Sequence, residues 1–326
     1  MVFGILALCL TGCGQEGLTS LSPLGPGAQA IATLLWVLLG LGGFAYLVVL
    51  LFLARSINWP GDLQTRNRRA RQLLIGGGVV LPLSILLVTY GFTFSTLSSL
   101  TTQDNENREV LIVEVTGHQW WWEVHYPQYG ITTASEIHIP VNSPVQLILG
   151  AEKVIHSFWA PALHGKRDAI PGQVTELRLE ASQLGTFWGV CAEFCGTQHA
   201  NMNLLVTASA PSAFEAWLAN QQEPAAAPDT DATRRGLQVF EDAACGDCHT
   251  LAGVVEQVDG GRNLGPDLTH FASRQLLAAT TTTLDETTLR HWISSPNSIK
   301  PGTLMPATEL SEAEMSNLLA YLMSLK

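Results

Sequence analysis

Residues 191–202 read CAEFCGTQHANM. Cys191, Cys195, His199 and Met202 follow one another as Cys-x3-Cys-x3-His-x2-Met. Thiolate and thioether are soft donors, and methionine sulfur is a poor ligand for zinc or calcium. Copper accepts all of these groups. Upstream, HSFW (156–159) adds a second imidazole, His156. A mononuclear blue copper site uses one Cys, two His and a weak axial Met, so this set holds one thiolate too many. It suits two copper ions bridged by both thiolates, each with one imidazole. Met202 would weakly cap one ion, and a backbone carbonyl such as that of Glu193 would cap the other. An electron carrier needs ligands that move little when the charge on the metal changes, and a rigid β scaffold holds them that way.

The flanking sequence supplies such a scaffold. VLIVEVTG (110–117), HQWWWEVHYP (118–127), ASEIHIPV (134–141), PVQLILG (144–150), VTELRLEA (174–181), TFWGV (186–190) and NLLVTAS (203–209) are alternating and rich in β-branched and aromatic residues. Gly, Pro and Asn punctuate them. No helical spacers separate them, so an antiparallel barrel or sandwich is predicted over residues 105–210. AFEAWLANQQ (213–222) reads as a short closing helix. EPAAAPDTD (223–231) reads as a flexible linker, giving a helix-and-linker segment over 211–231.

Toward the N-terminus the composition changes. The chain is 47% hydrophobic and only 14% charged, and the cause is local. Glu16 is the only charge between Gln15 and Arg55, and residues 72–103 carry none. Ala30–Leu53 and Leu73–Leu97 are each long enough, at roughly 24 residues, to span a bilayer as a helix. A two-helix hairpin over residues 28–100 follows, with Pro82 expected to distort the second helix. Arg55, Arg66, Arg68, Arg69 and Arg71 lie between the spans against one acid, Asp62. That loop is therefore expected on the cytoplasmic side, and everything after about residue 100 on the outer face. MVFGILALCLTGC (1–13) looks like a lipoprotein signal, with Cys13 expected to be lipidated. The net charge of −11 disfavours nucleic acid as a partner, because phosphate binding needs a basic face.

CAEFCGTQHANM, together with HSFWAPALHGKRDAIPG (156–172) and GHQWWWEV (117–124), resembles the dinuclear copper (CuA) domain of cytochrome c oxidase subunit II. The resemblance covers about residues 25–222 and implies a cupredoxin-like barrel. It implies His156, Cys191, Cys195, His199 and Met202 as side-chain ligands, with the Glu193 carbonyl as the sixth. The Glu193 side chain would face subunit I at a shared magnesium, and Trp120 would be the residue where electrons enter. Two positions depart from the family. Lys153 stands where an Asp commonly helps dock a basic cytochrome. RQLLIGGGVVLP (71–82) has no carboxylate where the family often places a Glu at the mouth of a proton path. His118, His125, His138 and His164 lack paired ligands in the sequence and are expected to be structural or solvated.

From residue 232 the pattern becomes helical, over RRGLQVFEDAA (234–244), DETTLRHWISS (285–295) and SEAEMSNLLAYLMSLK (311–326). Ser311 and Glu314 form a capping-box pattern. Between the first two lies Cys245-x-x-Cys248-His249, the c-type haem attachment pattern. Both thiols add to the haem vinyl groups, and His249 would be the proximal iron ligand. Met315 and Met323 sit on the final helix, where Met is usually core filler. Met305, in GTLMPA (302–307), resembles the distal ligand loop of class I cytochromes c. NLGPDLT (263–269) resembles their proximal packing segment, with Pro266 near His249. An all-α cytochrome c domain is thus implied over 232–326.

Both resemblances imply a multidomain membrane protein of the bacterial plasma membrane, with its copper and haem domains on the periplasmic face. Electrons would pass from haem c to the copper pair and on to subunit I of a haem–copper oxidase, where oxygen is reduced to water with proton translocation. Expected partners are subunit I and other oxidase subunits, membrane lipid, and an upstream cytochrome bc complex or soluble cytochrome c. The alternatives are the copper subunit of a nitric oxide reductase and a membrane-anchored copper-handling lipoprotein. No catalytic acid–base pair or nucleophile is visible in this chain.

Overall fold

The computed structural model describes residues 18–56, 63–101, 110–255 and 264–326. Cys13 and the signal pattern around it lie outside the described residues. Two compact units are present, residues 27–107 and the remainder.

In the first unit, helix α1 covers Pro26–Ser56 and α2 covers Leu63–Ile75. A π-helical turn over Gly76–Val80 leads into α3, Leu81–Thr101. Residues 26–56 and 67–100 are each long and apolar enough to cross a membrane. The irregularity expected at Pro82 takes the form of the π turn, in which the Leu81 N–H bonds to the Gly76 carbonyl. A proline ring clashes with the carbonyl four residues back, here Gly78. The turn ahead of it widens to make room.

The second unit opens with ten strands: β1 Leu111–His118, β2 Trp121–Tyr126, β3 Ile131–Ala134, β4 Glu136–Pro140, β5 Val145–Ala151, β6 His156–Trp159, β7 Arg167–Ala169, β8 Thr175–Leu179, β9 Gly185–Cys191 and β10 Asn203–Ser209. They form two five-stranded sheets, ordered β3-β2-β1-β5-β8 and β4-β10-β9-β6-β7. Val113, Val115, Trp122, Val124, Leu147, Phe158 and Leu204 fill the core between them. Two pairs, β1–β5 and β4–β10, are parallel, which corrects the purely antiparallel expectation. Alternation reports which face of a strand is buried and carries no information on which neighbour it pairs with. The chain changes sheets at Ser135, whose φ of 57° breaks the run that reads as one strand in sequence.

Helix α4, Pro211–Gln221, closes the barrel, with Trp217 against Tyr126. The following helical part contains α5 Asp231–Asp242, α6 Glu286–Ser294, α7 Pro296–Ile299 and α8 Glu312–Leu322. A hairpin of two residues per strand, Leu276–Leu277 with Thr282–Thr283, interrupts it. Ser311 and Glu314 make the capping box that their spacing predicts. The segment after α4 is pinned rather than free, unlike the flexible linker expected from composition. The Ala225 N–H bonds to the Ala252 carbonyl, and the His270 ring to the Glu223 carbonyl.

Helices α5 and α8 cross at Gly236. A Cβ there would lie 2.1 Å from the Asn317 carbonyl oxygen and 2.6 Å from Tyr321 Cβ. Both obstacles are stiff, so the helices would have to separate. Gly236→Ala is expected to destabilise the helical domain by about 1–3 kcal/mol. A thermal melt followed at the haem band checks this, and an unchanged midpoint would contradict the close crossing.

Candidate metal centre

The register of three strands brings the ligand residues together. Cys191 ends β9, and residues 192–202 loop into the antiparallel neighbour β10. Strand β6 flanks β9 on its other side, pairing Phe158 with Cys191 and so placing His156 near the same end. Cys191 Sγ lies 3.9 Å from Cys195 Sγ and 3.8 Å from His156 Nδ1. Cys195 Sγ lies 3.8 Å from both His199 Nδ1 and Met202 Sδ. The Glu193 carbonyl oxygen is 3.2 Å from Cys191 Sγ. Cys191, Cys195, His156 and Met202 are buried, while His199 is half-buried and Glu193 exposed. Gly117 seats the His156 ring, since a Cβ on it would fall 2.6 Å from His156 Cδ2.

The sulfurs are free thiols, separated by far more than the ~2.05 Å of a disulfide. Their ionisation is opposed. Cys191 is pulled down to about 3, chiefly by its hydrogen-bond contact with the Cys195 sulfur. Cys195 is pushed up by that interaction and by burial. Two thiolates this close in a buried site need cations between them. All five side-chain donors and the carbonyl converge on one end of the barrel, and their softness fits copper better than zinc.

Trp120 and Gln119, between β1 and β2, both donate to the Cys195 carbonyl oxygen, from Nε1 at 3.0 Å and Nε2 at 2.9 Å. The indole is bracketed by two glycines with positive φ. A Cβ on Gly196 (φ +121°) would lie 3.0 Å from its Cζ2. One on Gly302 (φ +86°) would lie 3.6 Å from its Cη2. Gly196 adjoins Cys195, and Gly302 belongs to the loop that carries Met305. Trp120 therefore meets the Cys191–Met202 loop through its indole N–H and the helical domain through its own carbonyl, which accepts from Lys300 Nζ at 2.7 Å. Sequence reading singled out Trp120 but missed Gln119, Gly196 and Gly302. The GTLMPA loop showed only its proline and methionine.

The remaining histidines find local partners. His118 lies between Glu152 (3.2 Å) and Glu123 (3.7 Å) and stacks on Trp121. His125 meets Thr132, and His164 meets the Gly165 carbonyl. His138 stacks on Trp217, and burial lowers it to about 4. Lys153 pairs with Glu152 at 3.5 Å.

In the helical domain, Cys245–Asp247 form a tight turn entered through Ala244 at φ 53°. Cys245 and Cys248 are half-buried free thiols. His249 Nδ1 donates to the Pro266 carbonyl oxygen at 2.7 Å, which leaves Nε2 available to a ligand. A Cβ on Gly265 would sit 2.6 Å from His249 Cε1. Only glycine lets that backbone pass so close to the imidazole. This arrangement fits covalently held haem with one histidine ligand. Met305 is half-buried at the edge of the helical core, whereas Met315 is buried within it. The described contacts do not join Met305 to His249.

Residues 130–209 match the family model described as "Cytochrome C oxidase subunit II, periplasmic domain", and residues 233–326 match that of cytochrome c. The chain is 36% identical to a cytochrome c oxidase subunit 2 of Alkalihalophilus pseudofirmus, over 98% of this chain and 95% of the relative. It is 30% identical to one of Bacillus sp. PS3, over 100% of this chain and 96% of the relative. The periplasmic domain of subunit II of cytochrome oxidase from Bradyrhizobium japonicum is 29% identical over 36% of this chain and 97% of its own, at a TM-score of 0.34.

Proposed function

The chain belongs to the cytochrome c oxidase subunit II family, and from that premise we propose how electrons cross it. It is the part of a haem–copper oxidase that accepts electrons. They arrive in the cytochrome c domain, move to the copper domain and leave for subunit I, where oxygen is reduced. Family membership selects this reading over nitric oxide reduction and copper delivery. When bound, haem c and the copper pair supply sites that gain and lose one electron at a time. Cys245 and Cys248 would hold the haem covalently, and His249 Nε2 and Met305 would serve its iron. Met305 is favoured over Met315, which is committed to the core, and over Met323, which caps the last helix, because it lies in the loop that resembles the distal ligand loop of class I cytochromes c. Cys191, Cys195, His156, His199, Met202 and the Glu193 carbonyl would together hold the copper pair. The observation that carries this assignment is the convergence of six donors within about 4 Å contacts at the end of β9.

Trp120 is the residue through which electrons enter the copper domain. Its hydrogen bond to the Cys195 carbonyl and its contact with Gly302 support that role. Trp120→Leu should leave the haem and copper spectra intact and slow transfer between them about tenfold or more, a barrier increase of ~1.4 kcal/mol. Flash reduction of the haem, followed at the copper band, measures this. An unchanged rate would move the route elsewhere.

Helices α1 and α3 anchor the chain. Spanning by both, with Arg55, Arg68, Arg69 and Arg71 on the cytoplasmic side and the two redox domains in the periplasm of a bacterial plasma membrane, follows from the charge bias. Exposed Glu193 would offer its carboxylate to a magnesium shared with subunit I, since Mg2+ takes one or two carboxylates and keeps its waters. Proton translocation belongs to subunit I. An upstream cytochrome bc complex or soluble cytochrome c would reduce the haem domain, and lipid on Cys13 would add a second anchor.

A further inference from the structure

Two buried charged side chains cross between the copper domain and the cytochrome c domain, in opposite directions. Lys300, just after α7, is 4% exposed. Its Nζ donates to the Trp120 carbonyl (2.7 Å), the Asn201 carbonyl (3.0 Å) and the Ala278 carbonyl (3.0 Å). An ammonium has three N–H donors, and three carbonyls receive them. Two of those carbonyls belong to the copper domain: one is that of Trp120 itself, and the other lies between His199 and Met202. In return Glu136, on β4 and 3% exposed, accepts the backbone N–H groups of Gln275 (2.7 Å) and Leu276 (3.2 Å) in the cytochrome domain. Gln198 donates to the Pro301 carbonyl at 2.8 Å beside them.

Apolar contacts tolerate sliding. A buried charge held by directed acceptors does not, because a small shift leaves it unpaired in a poorly solvated site. The register matters here because Gly302 faces the Trp120 ring, where a Cβ would fall 3.6 Å from Cη2, and Met305 is three residues further on.

We infer that Lys300 and Glu136 are positioning residues that lock the cytochrome c domain in the one register where its Pro301–Met305 loop rests on Trp120. Electrons then cross a preformed contact rather than one reached by tethered diffusion. This deepens the reading of Trp120 given above and rests on it.

The test uses the haem- and copper-loaded full chain within its oxidase, as wild type, Lys300→Leu and Glu136→Leu. Amide hydrogen exchange is measured over 197–202, 274–278 and 296–303. Haem-to-copper transfer is timed at increasing glycerol. In the wild type, transfer should be single-phase and independent of viscosity. In each variant those segments should exchange about tenfold faster or more. Transfer should slow about tenfold and become viscosity-dependent, while both metal spectra stay unchanged. If Lys300→Leu fails to accumulate, Glu136→Leu, which removes the oxygen that accepts both amides, decides alone. Unchanged exchange with viscosity-independent transfer in the variants would overturn the lock, as would viscosity-dependent transfer in the wild type. If Trp120→Leu leaves the rate unchanged while the variants still exchange faster, the electron route fails and the lock stands.

Discussion

Cys195→Ser should abolish the paired copper signal and reduce electron delivery to subunit I by more than about 100-fold, beyond the 10–100-fold effect typical of groups that only support a ligand. Cys195 sits at the centre of the donor set, 3.9 Å from Cys191 Sγ and 3.8 Å from both His199 Nδ1 and Met202 Sδ. Its carbonyl also receives Trp120 and Gln119. A serine hydroxyl does not ionise near neutral pH and is a hard donor, so it cannot bridge two copper ions. Oxygen uptake with a reduced donor and copper content per chain measure the loss. The barrel should survive, because Val113, Val124, Leu147 and Leu177 belong to the apolar core between the two sheets. Two coppers retained with normal uptake would refute the bridging role.

The second large effect concerns the other domain. With Cys245 and Cys248 both changed to alanine, haem should no longer remain with the denatured chain, and oxidation of a soluble cytochrome donor should fall by at least about 100-fold. The helical part is small and its core is built around the attachment turn, with Cys245 packed against it. The copper site should keep its spectrum, because its core is a separate cluster of buried residues. The double variant therefore separates the two halves of the relay: copper intact, donor oxidation lost. Loss of the copper signal as well would mean that the barrel depends on the haem domain.

Much of this chemistry is legible in sequence because most of the proposed ligands are local. Cys191 to Met202 occupy one loop, and Cys245, Cys248 and His249 one turn, while His156 and Met305 stand apart and are read from the motifs around them. Both patterns carry their spacing with them. What joins the two domains is not local. Lys300 meets the Trp120 carbonyl across 180 positions, and Glu136 meets the Gln275 amide across 139. Their partners are backbone atoms, which have no residue identity to read. The parallel pairing of β1 with β5 was hidden for a related reason, since alternation is the same whichever strand lies alongside. Composition made 223–231 look like a free tether, and only the bonds to Ala225 and Glu223 show that it is fastened.

The most direct test of the account is electron paramagnetic resonance of the oxidised, haem- and copper-loaded protein. The donor set around Cys191 and Cys195 predicts one unpaired electron shared over two copper nuclei, alongside the haem signal. A spectrum with the electron on a single copper would contradict the bridged pair and the relay built on it.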